Sequence, residues 1–490
     1  MIIEHLFHHA DRKGDDVAIV DDRGQYTWRQ LAGLSAALGQ YLAQQTTRPT
    51  VGILLPSSAG FVASFYATLL AGKTAVPINF LLGEKEVAHI VQDSGIDTIV
   101  TIPQLAERVK GLTLKIIDIT TLPPTPPAIV PKLPNPSPDD RAVLLYTSGT
   151  SNLPKGVTLS YGNLHSDVEL SIEHAQLKQS HSFLGIVPLF HSTGLLATLL
   201  APVRLGSKTV YIARFSPVAT IKAIREHALS ILVAVPSMYG ALLRLKDASP
   251  ADFSQVYAAL SGGEPLPGAI REAFEARFNK PLLEGYGLTE TIGPIAFNVP
   301  EHRKPGSVGR PIPSAEVRVV DDQGHAVVQG QIGEVWLRGP MIMKGYHNRP
   351  DVTAEVMSAD KFFKTGDLGM IDDEGFLYIT GRKKEMIIVA GEKAYPREIE
   401  ETLARHPAVG EAAVVGKKDE SRGEVVVAFV ILKENASVTQ DILRDFCRQQ
   451  GMPPWKTPRE IHIVTDLPRS PTGKVLKRVL AEQANAVTSP

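Results

Sequence analysis

Residues 142–157 read AVLLYTSGTSNLPKGV: an apolar run enters a cluster of Thr, Ser and Gly that closes on Pro154-Lys155-Gly156. Small residues let backbone N–H groups approach phosphate oxygens. The hydroxyls of Thr147, Ser148, Thr150 and Ser151 add donors around Gly149, and Lys155 adds a positive charge. The spacing is not that of a GxxxxGK[ST] loop, because Pro154 stands at the second glycine and Gly156 follows the lysine. A polar surface turn is the competing reading. Asn152 occupies a position suited to glycine. Asn tolerates left-handed backbone best among the other residues, so a positive φ is expected there.

Four more stretches carry candidate chemistry. In YGLTE, Tyr286 could stack on a base, Thr289 could donate to a phosphate, and Glu290 could hold Mg²⁺, a hard cation that takes oxygen ligands; a helix start capped by Thr is the plain alternative. In KTGDLG, Asp367 could bind two ribose hydroxyls, against an ordinary Asx-turn. Arg382 begins the basic run GRKK, which could simply be solvated. Lys474 follows a Pro/Gly turn in PRSPTGKVLKR, where a surface lysine is the default. Cys447 lies in the amphipathic stretch DILRDFCRQQ and reads as a half-buried helix residue rather than a nucleophile. His5, His8 and His9 are expected on a frayed amphipathic terminus, not at a metal.

The 490 residues exceed one ordinary core, so at least two domains are expected. With 51 basic and 52 acidic residues, nothing points to nucleic acid or an anionic membrane as the main partner. There is no apolar run of membrane-spanning length and no signal-peptide pattern at the start. The single cysteine fits a reducing cytoplasm.

Positioning these residues falls to alternating helical patterns and short apolar runs over residues 27–118, which argue for βαβ units and a parallel sheet. Residues 122–138 hold eight prolines in 17 positions, an extended connector. Further buried-strand candidates follow: AVLLYTS, FLGIVPLFH, ILVAVPS and YAALSGG. From about residue 305 the segments become short, alternating and turn-bounded, as in a small antiparallel unit. Strand, helix, strands, helix and strand after GRKKEMI read as a small α+β domain. The expected domains are 1–381 and 382–490, with the boundary near Gly381-Arg382.

The phosphate-type loop, YGLTE, TGD, GR and PTGK, in this order and at these distances, resemble the adenylate-forming superfamily over nearly the whole chain, from about residue 20 to 480. The resemblance implies an α/β fold: a large N-terminal AMP-binding domain of two α/β subdomains with a small β barrel, and a small mobile α+β lid. It implies that the loop Thr147–Gly156 wraps the β- and γ-phosphates of ATP. Gly263, Glu264 and Pro265 would line the adenine and Glu284 would meet its amino group, with Gly285 and Gly287 flanking Tyr286, which would stack on the ring. Thr289 would touch the α-phosphate, Glu290 would hold Mg²⁺, and Asp367 and Arg382 would bind the ribose. Lys474 would neutralise charge during adenylation. Lys384 falls at the hinge, and the face around Gly391 would meet a pantetheine arm.

The resemblance further implies that a carboxylate attacks the α-phosphorus of ATP, releasing pyrophosphate, and that a thiol then takes the acyl group and releases AMP. Amino-acid-activating relatives place Asp at the position of His191, so histidine argues against an α-amino acid. His191 is expected at the acyl pocket with Ser237 and Tyr239. Gly287 replaces a bulky Trp of acetate-activating relatives and is expected to leave the tunnel open to a medium or long chain. Some ligases carry lysines where this chain has Ile388 and Ala390. The leading expectation is ligation of a fatty acid to CoA. Transfer to the phosphopantetheine of an acyl carrier protein is the alternative, and a luciferase-type oxygenase using the same adenylate is the third.

Overall fold

The computed structural model describes residues 2–121, 132–147, 153–469 and 475–486. The chain forms two compact units. The first comprises Met1–Pro265, Ala273–Glu316 and Leu337–Phe363; the second comprises Leu266–Glu272, Val317–Trp336 and Lys364–Pro490.

The first unit is built on two largely parallel sheets. In the seven-stranded sheet, Thr50–Leu54 pairs in parallel with Thr74–Pro77 and Thr98–Thr101, and the latter with Lys115–Asp118. Arg141–Thr147 joins Thr74–Pro77 in parallel and turns back through Lys155–Ser160. These are the short apolar runs expected as strands, and burial on both faces, except in the edge strand Lys115–Asp118, explains why they do not alternate. The helix Trp28–Gln45 starts at a Thr27–Gln30 capping box. The helix Ala59–Leu70 starts at Ser58, whose Oγ accepts the Phe61 N–H, and buries almost all of its residues. In the nine-stranded sheet, Val17–Asp21, Thr209–Tyr211, Phe183–Gly185, Ile231–Ala234, Ala258–Ser261 and Leu282–Gly287 run parallel. Strands Gly24–Thr27, Pro294–Phe297 and Arg310–Pro311 close its ends antiparallel.

The second unit contains a four-stranded sheet of Glu316–Val320, Gly333–Arg338, Phe363–Ile371 and Leu377–Arg382, the short alternating segments expected from sequence. It also contains the α+β domain. There, Val409–Asp419 and Gly423–Leu432 form a long antiparallel pair, Glu460–Ile463 adds in parallel, and helices Pro396–Ala404 and Gln440–Gln449 pack on it. Cys447 is buried in this core, and burial pushes its thiol up to about 11, so it is not a nucleophile.

The helix Ile2–Arg12 is not frayed: Ile2, Ile3 and Leu6 are buried. The His9 ring lies 5.0 Å from that of Trp28, tilted by 51°, and His5 lies beside His165 and Glu169. Both Glu169 oxygens are taken by Arg204. Among the described residues no helix is long and apolar enough to cross a membrane.

Candidate active site

The hairpin Arg141–Thr147/Lys155–Ser160 presents the first candidate loop. Thr147 pairs with Lys155 and Tyr146 with Gly156, so the loop opens from the last bonded pair. A Cβ at Gly156 would meet the Tyr146 ring at 3.0 Å, which is why the residue after the lysine is glycine. His89 Nε2 lies 3.0 Å from the Pro154 carbonyl and ties the loop's exit to a neighbouring helix. Ser148, Gly149, Thr150, Ser151 and Asn152 lie outside the described residues, and so does the φ expected at Asn152.

Strand Leu282–Gly287 runs parallel to Ala258–Ser261, with Glu284 opposite Ser261. The turn of Gly263, Glu264 and Pro265 and the segment of Gly285, Tyr286 and Gly287 therefore lie at the same carboxyl end of the sheet, where open α/β sheets bind ligands. Gly263 has φ +82°, a conformation that favours glycine. Glu284 is buried, and its carbonyl accepts from the Asn298 N–H at 2.9 Å and Nδ2 at 3.2 Å.

Residues Thr289–Thr291 form one 3₁₀ turn rather than the start of a helix. The cap is Thr291, whose Oγ1 accepts the Leu288 N–H at 2.9 Å, so Thr289 is not spent as a cap. Ile292 follows, buried, at φ +60°. A β-branched residue there is strained, and such strain collects at functional segments.

Glu290 and Lys155 converge on one residue that sequence reasoning missed. The Tyr346 hydroxyl donates to Glu290 Oε1 at 2.6 Å, and Lys155 Nζ sits 4.8 Å over the Tyr346 ring. Tyr346 arrives on the short strand Gly345–Tyr346, which pairs with Thr158 and Val157. The stretch KGYHN carries no local mark of chemistry; only this long-range pairing gives it one. Among the described residues Tyr346 is the one side-chain donor to the Glu290 carboxylate, and it engages Oε1. That leaves a hard carboxylate oxygen of the kind Mg²⁺ takes, so the donor set fits this cation.

The residues expected at an acyl pocket divide. His191 precedes the short helix Ser192–Gly194 and the apolar run Leu195–Leu200. Burial holds its imidazole below the usual pKa, so it is neutral at pH 7. Ser237 is exposed on the helix Pro236–Leu242. Tyr239 is a core residue instead: it is fully buried, its hydroxyl donates to the carbonyls of Leu232 at 3.1 Å and Leu260 at 3.0 Å, and its ring packs on Phe274. Gly287 also has a different cause. A Cβ there would overlap the Gly293 carbonyl oxygen and lie 2.7 Å from its carbon and 2.8 Å from Pro294 Cα. The chain's own backbone accounts for this glycine without reference to acyl length.

In the second unit, Asp367 is not in an Asx-turn. Its carboxylate is buried, Oδ1 lies 3.0 Å from Arg382 Nε, and the two residues are directly opposed across an antiparallel pair. Gly366, at φ +71°, makes the bend, and Thr365 Oγ1 accepts the Asp367 N–H at 2.9 Å. Two residues on, Lys384 is exposed, while Lys383 pairs with Glu334 and Asp322. Ala390 (φ +51°) and Gly391 (φ +88°) form the exposed two-residue turn of the hairpin Ile387–Val389/Glu392–Ala394. Lys474 lies outside the described residues.

Comparison with known proteins bears on this geometry. A family model described as AMP-binding enzyme matches residues 6–347, and one described as AMP-binding enzyme C-terminal domain matches residues 398–474. The chain is 37% identical to sulfoacetate–CoA ligase of Cupriavidus necator, covering 89% of this chain and 87% of that protein. It is 34% identical to a long-chain-fatty-acid–CoA ligase of Bacillus subtilis, covering 88% and 85%. The o-succinylbenzoate CoA synthetase of Bacillus subtilis is 30% identical. Its complex with an acyl-adenylate matches with a TM-score of 0.88 over 97% of each chain, and its complex with ATP and magnesium with 0.87 over 98%.

Proposed function

The chain belongs to the AMP-binding enzyme family, and from that premise we propose that it joins a medium- or long-chain fatty acid to CoA. The coarser activity follows from membership: it is an AMP-forming acid–thiol ligase that works through an acyl-adenylate and uses ATP. The first step forms a bond between a carboxylate oxygen and the α-phosphorus and breaks the α–β bridging bond, so pyrophosphate leaves. In the second, the thiol sulfur bonds the acyl carbon, the C–O bond breaks, AMP leaves and the thiol proton is lost.

The observation that carries the site reading is the convergence of Lys155 and Glu290 on Tyr346. Lys155 opens a strand of the seven-stranded sheet and Glu290 follows one of the nine-stranded sheet, and their meeting at one ring supports reading them as a phosphate-seeking cation and a Mg²⁺-type carboxylate. In this reading Lys155 and the loop from Thr147 hold the β- and γ-phosphates, Tyr286 stacks on adenine, Thr289 meets the α-phosphate, and Glu290 would hold Mg²⁺. Two anions must meet, and a bound Mg²⁺ would supply charge neutralisation there. Asp367 and Arg382 bind the ribose, Lys474 supplies the cation at the reacting phosphate, Lys384 serves as the hinge, and the turn at Gly391 meets the pantetheine arm. Neutral His191 and the apolar Leu195–Leu200 support an apolar acid over an ammonium-bearing one. Likeness to the fatty-acid ligase supports the same choice; the sulfoacetate relative makes a short anionic acid the reading to beat.

A panel of carboxylic acids assayed for pyrophosphate release, with CoA and holo-acyl carrier protein offered separately, tests this. Medium- and long-chain acids with CoA are expected to give the highest kcat/KM. Turnover confined to short, anionic or aromatic acids would replace the substrate, and turnover with holo-carrier protein alone would replace the acceptor.

A further inference from the structure

Lys155 and Glu290 pose an electrostatic problem that the site must solve. In the reading proposed above, one awaits phosphates and the other a cation. Left beside each other, an ammonium and a carboxylate pair directly, and each then has to be freed before it can bind anything. Among the described residues no ion pair joins them. A ring stands between: Lys155 Nζ rests 4.8 Å above Tyr346, and the hydroxyl of the same ring donates to Glu290 Oε1 at 2.6 Å. The ring face attracts the cation by its quadrupole, while the polar edge orients the anion.

The ring is held from several directions. Gly345 and Tyr346 pair with Thr158 and Val157, two and three residues beyond Lys155 in the same hairpin strand. The Tyr346 N–H donates to Thr353 Oγ1 at 2.9 Å, and the side chain is buried. From the other side, the Glu290 carbonyl accepts the Met343 N–H at 2.8 Å. The segment 343–346 thus fixes both ends of the carboxylate residue, backbone and side chain.

We propose that Tyr346 is a positioning residue for adenylation: its hydroxyl occupies Glu290 Oε1 and turns the other oxygen toward the cation, while its ring face keeps Lys155 out of an ion pair with Glu290. The proposal rests on the site reading given under the function. Outer-shell partners of metal ligands commonly set metal affinity by factors of about 10–100. Tyr346 has both an oxygen for the carboxylate and a face for the lysine, so its two roles separate by substitution.

Tyr346→Phe keeps the ring and removes the hydroxyl; Tyr346→Leu removes both. Two quantities are read on the full chain. One is the Mg²⁺ concentration that half-saturates pyrophosphate release at fixed ATP. The other is ATP binding by calorimetry in EDTA, which involves no turnover. Thermal melting verifies that each variant is folded. For Y346F the half-saturating Mg²⁺ is expected to rise about tenfold, with ATP binding in EDTA within twofold of wild type. For Y346L both are expected to weaken. A Y346F enzyme with wild-type Mg²⁺ dependence overturns the proposal, as does a loss of ATP binding in EDTA as large as the rise in its half-saturating Mg²⁺, which marks a merely structural role. Glu290→Gln runs alongside. If E290Q shifts Mg²⁺ dependence and Y346F does not, the proposal fails alone. If E290Q leaves it unchanged, the reading of Glu290 as the cation's ligand fails, and the proposal with it.

Discussion

Gly287→Ala separates two explanations of one glycine. If Gly287 exists to keep an acyl tunnel open, a methyl there shortens the tunnel, sparing short acids and penalising long ones. The structure assigns it another cause. The added Cβ would overlap the Gly293 carbonyl oxygen and sit 2.7 Å from its carbon and 2.8 Å from Pro294 Cα, all backbone atoms. Relief requires a backbone shift of roughly 0.5–1 Å, and overpacking of this kind costs about 1–3 kcal/mol. The shift falls on a segment with little slack. Gly293 N–H bonds the Thr291 carbonyl at 2.7 Å, Thr291 Oγ1 donates to the Gly293 carbonyl at 2.7 Å, and Ile292 between them is already at φ +60°. The displacement therefore reaches Thr289 and Glu290, where a misplacement of about 1 Å can cost on the order of 100-fold in rate. The assay is kcat/KM for pyrophosphate release over a series of acids of increasing length. The expected result is a similar loss, about 100-fold, for every acid, with raised Mg²⁺ dependence. Loss confined to the longer acids would instead place Gly287 at an acyl tunnel.

Other consequences follow from the same contacts. Tyr239→Phe leaves the Leu232 and Leu260 carbonyls without their shared hydroxyl donor, so the melting temperature should fall by an amount equivalent to about 1–3 kcal/mol while the ranking of acids stays unchanged; an altered ranking would place Tyr239 at the acyl group. Asp367→Asn breaks the pair with Arg382 and should weaken ATP binding about 10-fold or more, a loss of about 1.4 kcal/mol or more. The variant should also discriminate less between ATP and 2′-deoxy-ATP; undiminished discrimination would remove Asp367 from the ribose. Acid should destabilise the chain. Burial lowers His5 from 6.5 to about 4, with the Arg204 charge adding to the effect, and burial also lowers His9, His174, His191 and His347. Below pH 6.5 the unfolded chain takes up protons that the folded chain refuses, so stability is complete above 6.5 and falls between 6.5 and 4. For His5 the shift corresponds to about 3 kcal/mol before solvent screening and roughly 1–2 kcal/mol after it. His5→Gln should flatten the melting-temperature profile in that window; an unchanged slope would show that His5 does not contribute.

Much of the architecture was legible in the sequence because it rests on local signals. Short apolar runs between helical patterns are enough to mark strands buried on both faces. The strands on either side of residues 148–152 were legible for the same reason. What escaped depends on long-range packing. Tyr346 gains its place only when residues 345–346 pair with 157–158, and no spacing within KGYHN announces that register. The clash that a side chain would meet at Gly287 escaped because the backbone that forbids it comes round through a strained Ile292, a turn that no propensity predicts. The burial of Tyr239 escaped because a tyrosine on a short helix faces pocket or core according to how that helix seats on its sheet, and here two strand carbonyls take its hydroxyl. Asp367 and Arg382 were each recognisable by their glycines, but their mutual ion pair follows from the hairpin register alone.

The central claim is that the carboxylate of a fatty acid bonds the α-phosphorus of ATP before a thiol displaces AMP. A fatty acid labelled with ¹⁸O in both carboxyl oxygens, turned over with ATP and CoA, tests it directly by mass spectrometry of the products. One labelled oxygen is expected in each AMP formed, with an unlabelled pyrophosphate and one labelled oxygen left in the thioester. Label in pyrophosphate or inorganic phosphate, or AMP free of label, would contradict it.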